Sequence, residues 1–329
     1  MCHVASMAAA WRRGLKTEGE KQKWGQTRRL AFIEMRAQYE GRINRRDLIK
    51  FFGISTPQAS ADLSAYQKKA PSNLVYDLHG RVYLTRPGFK PIFGRTSATH
   101  YLGELHRLAA EVIDRNESFV GYVPSTGIVD TPARAISAEE VATFVQAIRD
   151  RVALTVRYQS LEHPEPQHLT LSPHALGFDG LRWHIRAWCH LRGIFRDFAI
   201  GRMIVTGRDE NAPTVDPRSD KGWTTKVTVI LKPHPKLSPA QRQAVSRDYN
   251  MIKGQALLEC RKAMLFYTVR HLRLEKLTVS ERPAEQHVIV HNAAEVQRWI
   301  DEDRAGNSAS MPGAANGGGR SGSRASRRK

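Results

Sequence analysis

The chain is poor in cysteine, in acidic residues and in long apolar runs, and each shortage closes off a class of protein. Three cysteines, Cys2, Cys189 and Cys260, are scattered through 329 residues with no Cys-x-x-Cys pair. Neither a disulfide framework nor a structural zinc site is indicated, and a reducing cytosol suits this usage. No run reaches the roughly 18 apolar residues of a membrane-spanning helix. The start, Met1 to Gly19, mixes alanine with Trp11, Arg12 and Arg13 and builds no signal-peptide core. Nucleotide-binding glycine loops, nucleophile elbows and paired-carboxylate motifs are missing, so no enzyme is expected. His163, His168, His174, His184 and His190 crowd one region without metal-ligand spacing, so neither a metal nor a cofactor is expected.

The shortage of acid is the productive one. Lys and Arg number 51 against 32 Asp and Glu, a formal net charge of +19. Clustered cations displace counterions from phosphates, so a polyanionic partner is indicated. The C-terminal segment Gly306 to Lys329 carries only five basic residues, whereas Trp24 to Lys90 holds twelve basic against five acidic. The charge therefore belongs partly to a folded region.

That region reads as three helices and a hairpin. Trp24 to Glu40 is helical, with Leu30, Ile33 and Ala37 on one side. Asn44 caps a second short helix with Leu48, Phe51 and Phe52, and Gly53 turns the chain. Ser55-Thr56-Pro57-Gln58 reads as a capping box with proline near the start of a third helix, whose buried stripe is Ala59, Leu63 and Tyr66. Leu74 to Leu78 and Arg81 to Thr85 flank His79-Gly80 as a hairpin. Three helices and a hairpin make a winged helix-turn-helix, whose third helix reads base edges in the major groove. Ser55, Thr56, Gln58, Ser60, Asp62 and Ser64 are its expected open positions, with Gln58 suited to adenine. Arg45, Arg46, Lys68, Lys69, Arg81 and Arg86 are the expected phosphate contacts. The surface of such a fold also serves as a protein-docking module, and that alternative stays open.

Further on, His100 to Arg115 has helical spacing and Asn116 to Ile136 reads as extended linker. Ser137 to Glu140 is a capping box, and from Arg151 the period becomes two, as in short antiparallel strands. Leu181, Trp183, Ile185, Ala187 and Cys189 alternate with Arg182, His184, Arg186, Trp188 and His190. This predicts a strand with one apolar face and one open, basic face fit for an anionic, flat ligand. Phe195 to Ile200 is its return strand. Tyr158, Ser172, His174, Arg196 and Arg202 lie on strands that a small SH3- or Sm-like barrel brings near. Trp183 and Phe198 are expected in the core. A last α+β module holds Leu257, Leu258, Met264, Leu265, Phe266 and Tyr267 as an apolar cluster.

Ser172-Pro173, Gly180 to Ile185, Arg196-Asp197-Phe198 and Arg202-Met203 resemble a WYL domain. The layout from about residue 22 to 300 resembles the bacterial WYL-domain transcriptional regulators, in particular the repressors linked to anti-phage defence islands of the BREX and CBASS kind. The name-giving Trp-Tyr-Leu is Trp183-His184-Ile185 here. The resemblance implies a ligand derived from nucleic acid at Tyr158, Ser172, His184, Arg196 and Arg202, and dimerisation through the C-terminal module.

The expected fold class is multidomain α+β. Its parts are a flexible N-terminus at 1–21, the winged helix-turn-helix at 22–90 and a linker at 91–136. A small-barrel WYL sensing domain at 137–210, an α+β dimerisation domain at 211–304 and a disordered Gly/Ser/Arg tail at 305–329 follow. The expected function is a homodimeric repressor of a phage-defence operon, bound to double-stranded operator DNA in the nucleoid. A single-stranded nucleic acid, or a cyclic or short oligonucleotide, is the expected ligand for Tyr158, Ser172, His174, Arg182, His184, Arg186, Arg196 and Arg202, and no membrane is involved. A DNA-damage-responsive activator and an accessory protein for RNA or nucleic-acid processing are the alternatives.

Overall fold

The computed structural model describes residues 18–93 and 97–308 and divides the chain into two compact units, Met1–Thr131 and Pro132–Lys329. Most of the expected N-terminal segment 1–21 and tail 305–329 lies outside the described residues. Within the described part, 18–21 and 305–308 are helical.

The first unit is organised around α1 (Glu18–Glu40). Leu30, Ala31, Phe32, Ile33, Met35 and Ala37 of this helix are all buried, so it is surrounded by its own unit rather than lying on it. The Phe32 ring sits 4.8 Å from Phe51, 5.2 Å from Phe52 and 5.4 Å from Phe119. After β1 (Arg42–Ile43), α2 (Arg45–Phe52) begins in a complete capping box between Asn44 and Asp47 and ends at Gly53, whose φ is 63°. α3 (Thr56–Lys69) follows, then β2 (Leu74–Asp77) and β3 (Val82–Thr85), in a sheet ordered β1-β3-β2. The wing loop is four residues, not two. Asp77 accepts hydrogen bonds from the backbone of His79 and Gly80, and Arg81, not Gly80, takes the left-handed conformation. Gly80 is needed for space, since a Cβ there would lie 2.7 Å from Asp77 Oδ2.

Two expectations fail in the segment after the wing. α4 (Ala98–Ala109) ends six residues early, because Glu111 turns to a φ of 54°. The expected linker is partly core: Phe119 and Val120 are buried against the α1 cluster, and Gly121 N–H bonds to Glu40. A buried carboxylate ties the post-wing segment down. Glu34 is fully buried and accepts from Ile92 N (2.7 Å), Phe93 N (2.8 Å) and the Tyr66 hydroxyl (3.2 Å).

The second unit begins with α5 (Ala138–Asp150), started by the Ser137–Glu140 capping box. Strands β4 (Ala153–Tyr158), β5 (Gln167–Phe178), β6 (Trp183–Cys189), β7 (Ile194–Ala199) and β8 (Met203–Asp209) form one antiparallel sheet ordered β7-β6-β5-β4-β8. Pro173 cannot donate to the ladder, and the register shifts beside it, between Pro173 and Ala175. Phe144 and Ala147 of α5 pack into the sheet core with Leu154, Val156, Leu171, Ile185, Ala187, Cys189 and Phe198.

The rest of the unit holds a short α6 (Lys221–Thr224), β9 (Lys226–Pro233), α7 (Pro239–Asp248), β10 (Ala256–Arg261), α8 (Leu265–His271), β11 (Val288–Val290) and α9 (Ala293–Ser308). Its sheet is ordered β10-β9-β11 over a core of Val229, Leu265, Val269, Val296 and Ile300. Of the expected apolar cluster Leu265 is buried, while Leu257 is 63% exposed on the outer face of β10. The last helix was not anticipated, because its apolar anchors Val296, Trp299 and Ile300 are few among polar residues.

Glu34→Ala strips the acceptor from two backbone amides and a hydroxyl. The first unit should lose about 3 kcal/mol of stability. An unfolding free energy from urea denaturation within about 0.5 kcal/mol of wild type would contradict the clamp.

Candidate functional site

α3 is a capped helix with one buried and one open face. Ser55 Oγ accepts from Gln58 N, and Pro57 occupies the first turn. Leu63, Ala59 and Tyr66 are buried, as their spacing predicts. Ser55, Thr56, Ser64, Lys68 and Lys69 face solvent, as do Arg45, Arg46, Arg81 and Arg86, while Gln58 and Ser60 are half-buried. Ser60 bonds back to the Thr56 carbonyl and lies 3.4 Å from an Arg45 amine. Asp62 is a correction. It is fully buried, not open, because Arg29 of α1 reaches beneath α3 to pair with it at 2.6 Å. The capping box is likewise only half made: the Gln58 side chain runs forward to Asp62 rather than back to Ser55.

In the second unit the expected ligand residues separate into distinct groups. Tyr158, Arg196 and Arg202 come together in a cleft of about 210 Å³, joined by Gln167, Arg192 and the loop residues Ser160 to Glu162. Tyr158 meets Phe198 edge-to-face at 5.1 Å. Arg192 bonds to Gln167 Oε1 at 2.8 Å and approaches His163 at 3.2 Å. Among the described residues none of Arg192, Arg196 and Arg202 has a carboxylate partner in an ion pair, although Glu162 and Asp197 line the same cleft. Arg192 and Gln167 escaped the sequence reading. Arg192 sits at the tight Cys189–Gly193 turn of the hairpin, where alternation carries no signal.

The expected open face of β6 is buried. Arg186 is 3% exposed and His184 8%, because residues of the C-terminal part cover them. Arg186 Nε and Nη2 grip both oxygens of Asp220, at 2.7 and 3.1 Å, and Nη1 reaches Asp197 at 3.3 Å. His174 Nε2 donates to the same Asp220 at 2.9 Å. Asp220 is the N-cap of α6. A Cβ on Gly222 in that turn would lie 2.7 Å from Arg186 Nη2 and would push the guanidinium off Asp220. His184 donates through Nε2 to Asp179 at 2.9 Å and packs its ring against Tyr267 at 5.1 Å. Its Nδ1 is buried without a partner. Arg182 lies 3.4 Å from the same Asp179. Ser172 bonds to His190 at 2.8 Å. Trp183 corrects the expected core position: it is 48% exposed, paired with Phe178 at the rim. Phe198 is buried as expected. Asp220 carried no sequence signal beyond its position three residues before Trp223.

The carboxylates around Arg186 are driven in opposite directions. Burial alone would raise the pKa of Asp220, but the hydrogen bonds from His174 and Arg186 outweigh it and hold it below the usual 3.8. For Asp197 burial wins over the attraction of Arg186, and its pKa is raised. Burial likewise raises Asp303. One guanidinium therefore satisfies one carboxylate fully and a second only in part. Among the described residues no three His, Cys, Asp or Glu side chains converge on a metal-sized site, and no helix is long and apolar enough to cross a membrane.

Comparison with known proteins fits this layout. Residues 25–107 match the BrxR transcriptional regulator winged helix-turn-helix domain, 139–205 the WYL domain, and 226–296 the BrxR transcriptional regulator C-terminal dimerization domain. The architecture is that of a winged-helix, WYL-domain transcriptional regulator. The chain is 62% identical over 286 residues to the DNA-binding transcriptional repressor CapW of Stenotrophomonas maltophilia, covering 87% of this chain and 96% of that one. It is 40% identical over 296 residues to CapW of Escherichia coli (strain KTE188), covering 87% and 98%. It is also 40% identical over 281 residues to CapW of Pseudomonas aeruginosa, covering 84% and 93%. The chain belongs to the BrxR/CapW family of DNA-binding transcriptional repressors.

The opposed shifts give a pH test. A folded-state pKa held below the unfolded value stabilises above 3.8 and loses that effect as pH falls through it. A raised pKa does the reverse: ionised Asp197 costs stability at neutral pH, and acid relieves it. Asp220→Asn should therefore lose about 3 kcal/mol at pH 7, with the gap closing below pH 3.8. Asp197→Asn should lose far less at pH 7. Equal losses in urea denaturation for the two variants would contradict the assignment.

Proposed function

We propose that this chain is a regulator rather than an enzyme: a homodimeric, DNA-binding transcriptional repressor in the bacterial cytoplasm, associated with the nucleoid. Its α3 enters the major groove of a double-stranded operator. Thr56, Gln58, Ser60 and Ser64 face the base edges there. Ser55, Arg45, Arg46, Lys68, Lys69, Arg81 and Arg86 meet phosphates. The exposed, capped polar row in a segment of strongly positive charge supports this. Dimerisation through the C-terminal module doubles the contact, because two half-sites are engaged at once.

The observation that carries the sensing part is the cleft of Tyr158, Arg192, Arg196 and Arg202. Guanidinium groups left without carboxylate partners suit phosphate, and Tyr158 offers an aromatic face for a base. The proposed ligand is a single-stranded nucleic acid, or a cyclic or short oligonucleotide. It relieves repression of a phage-defence operon by favouring the dimer state that binds the operator poorly; without such preference it would shift nothing. Ser172, His174, Arg182, His184 and Arg186 fall outside this contact set in the proposal. They are engaged with His190, Asp220, Asp179 and Asp197 instead.

Arg196→Ala combined with Arg202→Ala should leave operator affinity within about twofold while abolishing release by short oligonucleotides, read by fluorescence anisotropy. Collapse of operator binding in that variant would refute the separation of sensing from reading. Arg46→Ala should lower the salt slope of DNA binding by about one and weaken cognate and random duplexes alike. A sequence-dependent loss would place Arg46 on a base instead.

A further inference from the structure

We infer that Arg29 and Asp62 are positioning residues for Gln58, and that they fix its amide in the one orientation that selects adenine. The inference rests on the reading above, in which the first turn of α3 faces the major groove.

Gln58 Nε2 lies 3.2 Å from Asp62 Oδ1. Asp62 is fully buried, and its charge is taken up by Arg29, through Nε to Oδ2 at 2.6 Å and Nη2 to Oδ1 at 3.3 Å. The two ends of a glutamine amide are easily exchanged, but a carboxylate only accepts hydrogen bonds. Asp62 must therefore face the amide nitrogen. That leaves Gln58 with Oε1 and one N–H to offer outward, an acceptor beside a donor. Adenine presents the complementary pair in the major groove, the N6 donor and the N7 acceptor. Guanine presents two acceptors, thymine an acceptor and a methyl, and cytosine a single donor, so each leaves part of the amide unmatched.

The tether also removes rotamer freedom before DNA arrives, and an ordering cost met in advance sharpens discrimination. Asp62 can do this beside a phosphate backbone because it is buried and neutralised from below by Arg29, so it adds no exposed negative charge.

The test is selection from a randomised duplex pool by the full-length protein, followed by sequencing. Wild type should favour adenine about tenfold at one position of each half-site. Gln58→Ala and Asp62→Asn should both reduce that preference to about twofold while leaving the other positions unchanged. Replacing that adenine by 7-deazaadenine should weaken wild type several-fold and leave Gln58→Ala unaffected. If Asp62→Asn fails to fold by thermal melting, Arg29→Lys, which keeps the charge but loses the fork, should show the same selective loss. A folded Asp62→Asn or Arg29→Lys that keeps the full adenine preference overturns the positioning role. A Gln58-dependent position that prefers another base overturns it as well. No Gln58-dependent position at all overturns it together with the reading of α3 as the recognition helix.

Discussion

A guanidinium buried to 3% exposure is the constraint on which the second unit depends. Removing a charge from water costs several kcal/mol, and only well-placed partners offset it. Arg186 meets that demand with both oxygens of Asp220 and one of Asp197. Asp220 in turn starts α6, so the ion pair links the centre of β6 to the beginning of the C-terminal part. His174 and Gly222 follow from it. One supplies a second donor to Asp220, and the other leaves room for the guanidinium.

The same burial separates the paired cations of this region from the unpaired ones. Arg186, His184 and Arg182 are consumed by Asp220, Asp197 and Asp179. Arg196, next to Asp197 in sequence, has no such partner among the described residues and lines the cleft with Arg192 and Arg202. Carboxylate-paired and unpaired cations thus lie on neighbouring elements of one sheet. A parallel division runs through the first unit, where half-buried Arg29 is paired with Asp62 while Arg45 and Arg46 stay exposed.

Local signals were legible in the sequence because local physics sets them. Caps at Asn44 and Ser137, the turn at Gly53 and the stripe of α3 all follow from residues within a few positions of each other. Family resemblance supplied the order of the domains. What alternation could not reveal is that β6 is covered on both faces. The apolar side, Ile185, Ala187 and Cys189, enters the sheet core as expected. The basic side is covered by Asp220, 34 positions beyond Arg186, and by Tyr267 against His184, and nothing in a period of two distinguishes a charge facing water from a charge facing a distant aspartate. Asp62 was misread for the same reason, since its partner lies 33 residues away on another helix.

The central claim is that Arg186 and Asp220 act as one unit joining sheet and C-terminal part. A double-mutant cycle of Arg186→Met and Asp220→Leu in the full-length protein, measured by urea denaturation at pH 7, tests it most directly. Each single change should lose about 3 kcal/mol or more, and the pair together should lose less than either. Losses that simply add, to within about 0.5 kcal/mol, would show that the two residues are not coupled and would contradict the account.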